Sequence, residues 1–286
     1  MPALRGTRRG PPKGLHIALV AVLAALYVAF VVAYVQGSGL FDYIAADYRV
    51  FRASADIALH EGMAPVYDLA VQERYQRPLY QAYATGPGRA AYATMPMLYL
   101  PVFVYLFVPL LLLKPLPGLL AWTAFNAVLL GLYLWRLWRA LPEPVGWGPL
   151  AAALLCYPLF LNFFLGQVNV LLLIGLGEFL LAGRQGRDFR AGLWLAGLLL
   201  KPQALFLLLP GLLLARRFRA LGGFAVAGLA GVALSLLAAG PAGLVELSRL
   251  LLYPGELATT VPRLMMNWRS LGVNLETFLP APLAWG

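Results

Sequence analysis

The chain has 286 residues, a length that would ordinarily accommodate about two soluble domains. Its composition excludes that arrangement: 61% of the residues are hydrophobic and 12% charged, against roughly 25% charged in soluble globular proteins, and the mean hydropathy is +0.76. So few charges cannot cover a surface facing water, and the net charge of +10 reads as the Lys and Arg excess of cytoplasmic loops and headgroup contacts, not as a nucleic-acid-binding face.

Residues 1–15 carry Arg5, Arg8, Arg9 and Lys13 ahead of an apolar run over 16–35. A signal-peptide core is about 7–15 residues long whereas about 20 are needed to span a bilayer. The expectation is a cytoplasmic tail followed by an uncleaved first span. Segment 36–96 is the one long hydrophilic insertion and falls on the outer side. It holds Asp42, Asp47, Asp56, Glu61, Asp68 and Glu73, half of the twelve acidic residues, and a series of tyrosines whose amphipathic rings suit the headgroup layer. The spacing of Val50 and Ile57, and of Phe51, Ala55 and Ala58, predicts short helices lying along the membrane surface.

Apolar segments follow at 97–113, 118–138, 149–165, 168–182, 191–215 and 221–239, with a weaker one from Leu271 to the chain end. Leu and Ala dominate them, and backbone groups in lipid must be satisfied within the segment. The predicted fold is therefore all-α: a polytopic transmembrane helix bundle forming a single membrane domain over 1–286, located in the cell membrane, with the long outer loop inserted after its first span. Counting each segment as one crossing puts Arg216, Arg217 and Arg219 inside but Arg184, Arg187 and Arg190 outside. Treating 149–182 as one broken crossing, and 191–215 as a half-depth hairpin turning at Lys201-Pro202, brings all six to one side. Both versions leave 240–270 outside, and both stay open on the sequence.

Asp47, in "AADYRVFRA", is either a carboxylate aimed at a cavity as a general base or a helix N-cap. Asp42 and Asp56 have weaker claims as acids. Lys201 is the only charge between Arg190 and Arg216. It is either an intramembrane cation beside a proline helix break, suited to an anion, or the headgroup-level tip of a hairpin. Gln167 and Asn169, in "LNFFLGQVNVLLL", either bind a ligand or bridge helices. "MMNWRSLGVN" contributes Asn267 and Arg269 from a polar outer loop. Arg49, Arg52 and Arg89 lie on the same side and can share an anionic ligand. Soluble-enzyme signatures are missing, two histidines leave no basis for a histidine metal cluster, and the single Cys156 rules out an internal disulfide. Neither a cofactor nor a metal site is predicted, although Asp42 and Asp47 are compatible with a divalent cation.

Taken in order, "DYRVFRASADIALHEGMAPVYD", "MLYLPVFVYLFVPLLLLKPLP", "GQVNVLLLIGLGEFLL", "LAGLLLKPQALF" and "NWRSLGVN" resemble glycosyltransferase family 87, membrane enzymes that use polyprenyl-phosphate sugars. The resemblance covers roughly residues 40–275, with Leu100 standing where the family places a first proline. Members usually run longer, so several C-terminal helices are expected to be missing here. The resemblance implies transfer of a hexose, mannose, from polyprenyl phosphate to a lipid or glycan acceptor at the outer face, with inversion. It implies Asp47 as catalytic base with Asp42 as secondary acid, and Lys201, Arg52, Arg269, Asn267, Gln167 and Asn169 as binders of the donor phosphate and substrate. A transporter or lipid flippase, or an inactive fragment, is the alternative.

Overall fold

The computed structural model describes residues 17–18, 21–29, 44–83, 94–140, 146, 148, 151 and 154–252. Every regular element among them is helical. The first, α1, covers residues 21–29 within the expected first span, of which residues 17–18 are also described and the others lie outside the described residues. The hydrophilic insertion forms α2 (Ala46–His60) and α3 (Leu69–Tyr83). Next come α4 (Pro101–Val104), which tightens into a 3₁₀ helix over Tyr105–Leu112, and the long α5 (Pro115–Ala140). The remainder is α6 (Tyr157–Leu165), α7 (Asn169–Arg184), α8 (Asp188–Leu195), α9 (Leu205–Leu214) and α10 (Phe218–Leu252), the last broken at Gly240 (φ 66°, ψ 180°) ahead of Pro241.

Helices α5 and α10 are long and apolar enough to cross a membrane. On α5, Leu119, Trp122, Asn126, Leu130 and Tyr133 turn inward at helical spacing, while Leu116, Leu120, Phe125, Val128 and Leu132 are exposed. Val226, Leu229, Val232 and Leu237 form a similar apolar face on α10. Water does not tolerate unpartnered apolar faces of this length, and lipid does. Of the segments 149–165, 168–182 and 191–215, which count as full crossings in one of the two readings, the last is divided between α8 and α9, and α7 has 16 residues, fewer than the ~20 that span a bilayer. Gly166 takes a left-handed conformation (φ 70°) between α6 and α7, and Lys201 leaves the helical region (φ −140°, ψ 85°) before Pro202, which has no N–H to continue a helix.

This second break settles the path of residues 188–217. α8 continues as a 3₁₀ helix to Leu200, turns at Lys201, and returns through a short 3₁₀ turn (Pro202–Ala204) and α9. The start of α10 packs back on the start of α8: Gly223 meets the Phe189 carbonyl and Gly192 meets that of Ala220, with no room for a Cβ at either glycine. Arg217 Nη1 donates to Asp188 Oδ1 at 2.8 Å. Both feet of the hairpin therefore stand at one end of the helix group, as the second reading of the arginine pattern requires. The rising limb is about 22 Å long at 1.5 and 2.0 Å per residue, short of the ~30 Å hydrocarbon core. α7 runs antiparallel to it, with Gly175 against the Trp194 carbonyl and Gly197, and so puts Asn169 beside the tip. An ion pair joins exposed Arg136 of α5 to buried Glu178 of α7 and is bidentate, with Nη2–Oε2 at 3.0 Å. Its buried Glu178 lay unnoticed in an apolar run.

The hydrophilic insertion differs from expectation. Instead of lying amphipathically along a surface, α2 is the most enclosed element. Tyr48, Phe51, Ala55 and Ile57 are fully buried, and so are its polar residues Arg49 (3% exposed), Arg52 (8%) and Ser54 (0%). Phe51 stacks on Phe107 and meets Tyr99 and Phe103 edge-on, and Phe107 abuts Trp122. Ser54, Arg49 and Arg52 find partners inside the fold, which offsets the desolvation cost that would otherwise expose them. Ser54 Oγ accepts from Gln72 Nε2 at 2.9 Å, and the Arg49 guanidinium lies 4.9 Å over the Tyr80 ring. Asp68 caps α3 by accepting from Ala70 N at 2.7 Å.

Candidate active site

The N-terminus of α2 is held in an unusual conformation. Ala45 precedes the helix with a left-handed backbone (φ 57°, ψ 22°), fully buried, its N–H donating to the Phe164 carbonyl at 2.9 Å. Such strain costs of order 1–3 kcal/mol and persists where surrounding structure enforces it. Gly166 supplies that enforcement: a Cβ there would sit 2.6 Å from Tyr48 Cβ, and its carbonyl accepts from Trp122 Nε1 at 3.0 Å. The first turn of α2 is thus pressed directly onto the turn between α6 and α7.

Asp47 lies within that first turn and is not the N-cap, which is Ala45 with no side-chain cap. Its Oδ2 instead accepts a hydrogen bond from Gln167 Nε2 at 3.0 Å, 120 residues away in sequence. Gln167 Oε1 accepts from Asn169 Nδ2 at 2.5 Å, and Asn169 Oδ1 accepts from Lys201 Nζ at 3.0 Å. Asn162 completes the support, its Oδ1 taking the Asn169 N–H at 2.8 Å and its carbonyl the Gln167 N–H at 2.8 Å. An ammonium only donates and a carboxylate only accepts. The two ends therefore dictate the orientation of both amides between them, and the string has one direction from Lys201 to Asp47.

Asp47 keeps some accessible surface while protein crowds it closely. Burial pushes its carboxyl above the usual carboxylate range; the Lys201 ammonium, the Gln167 hydrogen bond and the Arg49 charge oppose that push. Tyr99 lies close enough to feel the Asp47 charge. Tyr99 and Arg49 thus join the surroundings of Asp47 although their spacing gave no such signal for Tyr99. A half-buried base, an ammonium with N–H groups beyond the one given to Asn169, and a rigid amide link together can take a proton and steady an anion.

Of the remaining predicted residues, Arg52 is not brought to this group. Its Nη1 and Nη2 donate to the carbonyls of Leu110 and Leu113 at 2.8 and 2.7 Å, closing the end of the 3₁₀ helix that follows α4. Asp42, Arg89, Asn267 and Arg269 lie outside the described residues. Among the described residues, no three His, Cys, Asp or Glu side chains come together as metal ligands.

The sequence pattern described as Glycosyltransferase family 87 matches residues 97–285. The chain belongs to glycosyltransferase family 87. No curated protein and no solved structure matches it. The matched segment of this family 87 glycosyltransferase contains Gln167, Asn169 and Lys201. Asp47 precedes the segment and is carried to it by the seam between Tyr48 and Gly166. That seam also gives the "GQVN" run a physical content: the glycine admits α2, the glutamine meets its carboxylate, and the asparagine meets the lysine.

Proposed function

We propose that this glycosyltransferase is a multi-pass membrane enzyme that moves a hexose, mannose, from polyprenyl phosphate to a hydroxyl of a lipid or glycan acceptor at the outer face. The observation that carries the reading is the directed string Lys201–Asn169–Gln167–Asp47, which holds a base and a cation in one site. The Asp47 carboxylate takes the proton of the acceptor hydroxyl as that oxygen attacks the anomeric carbon. The bond from that carbon to the phosphate oxygen breaks, and polyprenyl phosphate departs with the bonding pair, inverting the configuration. Lys201 faces the charge that gathers on the leaving phosphate, where a fixed cation in a site shielded from water acts most strongly. Arg269 and Asn267 are the further donors to that phosphate. Arg49 adds a second cation whose charge reaches the base, and Arg52 serves the fold.

An apolar groove of about 790 Å³, lined by Tyr27, Leu130, Phe160, Phe163 and Phe164 among others, supports a donor with a hydrocarbon tail. Phe164 also binds Ala45 through its carbonyl, so one end of the groove lies beside the first turn of α2. The test is transfer by the purified chain in lipid. Radiolabelled polyprenyl-phosphate mannose should yield a glycoside of opposite anomeric configuration, and a nucleotide-mannose should yield none. Transfer from the nucleotide sugar alone would overturn the donor assignment.

A further inference from the structure

Six arginines form a second feature, at the end of the helix group away from Asp47. Arg184 closes α7, Arg187 and Arg190 flank the start of α8, and Arg216, Arg217 and Arg219 connect α9 to α10; all are exposed. The close seam between α8 and α10, with the Arg217–Asp188 bond, brings the two groups to one face. Asp188 is the only acidic residue within these two connections, and it is engaged by Arg217. Exposed Phe189, Leu213, Leu214 and Phe218 stand among the arginines. A soluble anion has no use for such apolar neighbours. A lipid presents phosphate and hydrocarbon together, and basic side chains beside an apolar surface settle at that boundary.

We propose that these arginines form one binding face for the phosphate headgroups of anionic membrane lipids, and that this face fixes the depth to which the hairpin carries Lys201. Both feet of the hairpin are anchored by it, and the rising limb between Asp188 and Lys201 is a rigid spacer. The headgroup contact thereby sets the depth of the ammonium in the bilayer, while the string through Asn169 and Gln167 sets its place relative to α2. The proposal rests on the membrane reading of the chain and is independent of the donor assignment.

The test uses the full chain in neutral detergent, with native mass spectrometry counting bound phosphatidylglycerol against phosphatidylcholine in competition. Arg217 is left intact because it ties α10 to α8. Each arginine beside an anionic headgroup contributes about a fivefold preference, so R187Q/R216Q/R219Q should lose preference for phosphatidylglycerol by on the order of 100-fold. The lysine version, R187K/R216K/R219K, should keep it, separating charge from misfolding. R74Q/R77Q/R249Q, which removes three charges elsewhere, should keep it too. Three results would overturn the proposal: equal binding of the two lipids by the wild type, preference surviving in the glutamine variant, or equal loss in the control. Displacement by millimolar inorganic phosphate would also overturn it, marking a site for free anions. Failure of the membrane reading itself would look different, since neither lipid would then be retained.

Discussion

Replacing Gly166 by alanine tests how Asp47 is placed without touching a reacting group. The new Cβ would lie 2.6 Å from Tyr48 Cβ and 3.4 Å from Tyr48 N. Apolar carbons prefer about 3.5–4.0 Å, so α2 and the 166–169 turn must separate by about 1 Å at their tightest point. Gly166 also sits at φ 70°, where an L-residue with a side chain costs roughly 1–2 kcal/mol, and overpacking adds roughly 1–3 kcal/mol. The separation acts along the contact that brings Asp47 Oδ2 to Gln167. A displacement of about 1 Å at a reacting centre typically costs on the order of 100-fold in rate. The assay is transfer by purified protein in lipid, with thermal denaturation on the same samples. Gly62→Ala is the control: its φ of 88° imposes similar backbone strain, but no atom lies within 4 Å of the added Cβ. It should lower the melting temperature and leave the rate of folded protein unchanged. A folded Gly166→Ala enzyme transferring within twofold of wild type would refute the seam as the positioning device.

Other substitutions separate the roles along the string. Gln167→Leu removes one of the influences holding the Asp47 carboxyl down. A base works when deprotonated, so raising its pKa moves the acidic limb of the kcat profile to higher pH; an unmoved limb would count against Asp47 as the titrating group. Lys201→Gln also takes away a lowering influence and shifts that limb upward. In addition it should slow transfer at the pH optimum by roughly 10²–10³-fold, the scale of losing one preorganised group that stabilises developing charge. Arg52→Met should leave the KM for donor unchanged while lowering stability by roughly 2–5 kcal/mol, because two carbonyls lose charged hydrogen-bond donors. A raised donor KM with unchanged melting would return Arg52 to the phosphate.

Local pattern made the helical class, the apolar segments and the break at Lys201-Pro202 legible, because each follows from composition or from proline lacking an N–H. The six arginines even carried the hairpin as one of two readings. The burial of α2 was not legible. Its polar residues look solvated until their partners are known: Arg52 meets carbonyls 58 and 61 residues away, a separation at which periodicity carries no information. Asp47 read equally as a cap because a carboxylate near a helix start usually is one; the N-cap lies two residues earlier, at the left-handed Ala45, and no side chain caps the helix. Gly166 and Gln167 were adjacent letters in a motif, yet the reason for their adjacency is a close approach by Tyr48 that only the fold displays.

The central claim is that Asp47 abstracts the acceptor proton. Asp47→Asn keeps the shape of the side chain and leaves an oxygen able to accept from Gln167, so melting temperature should stay near wild type. Transfer from polyprenyl-phosphate mannose should fall by roughly 10²–10⁴-fold, the span of a lost general base. Wild-type turnover by the folded asparagine variant would contradict the account.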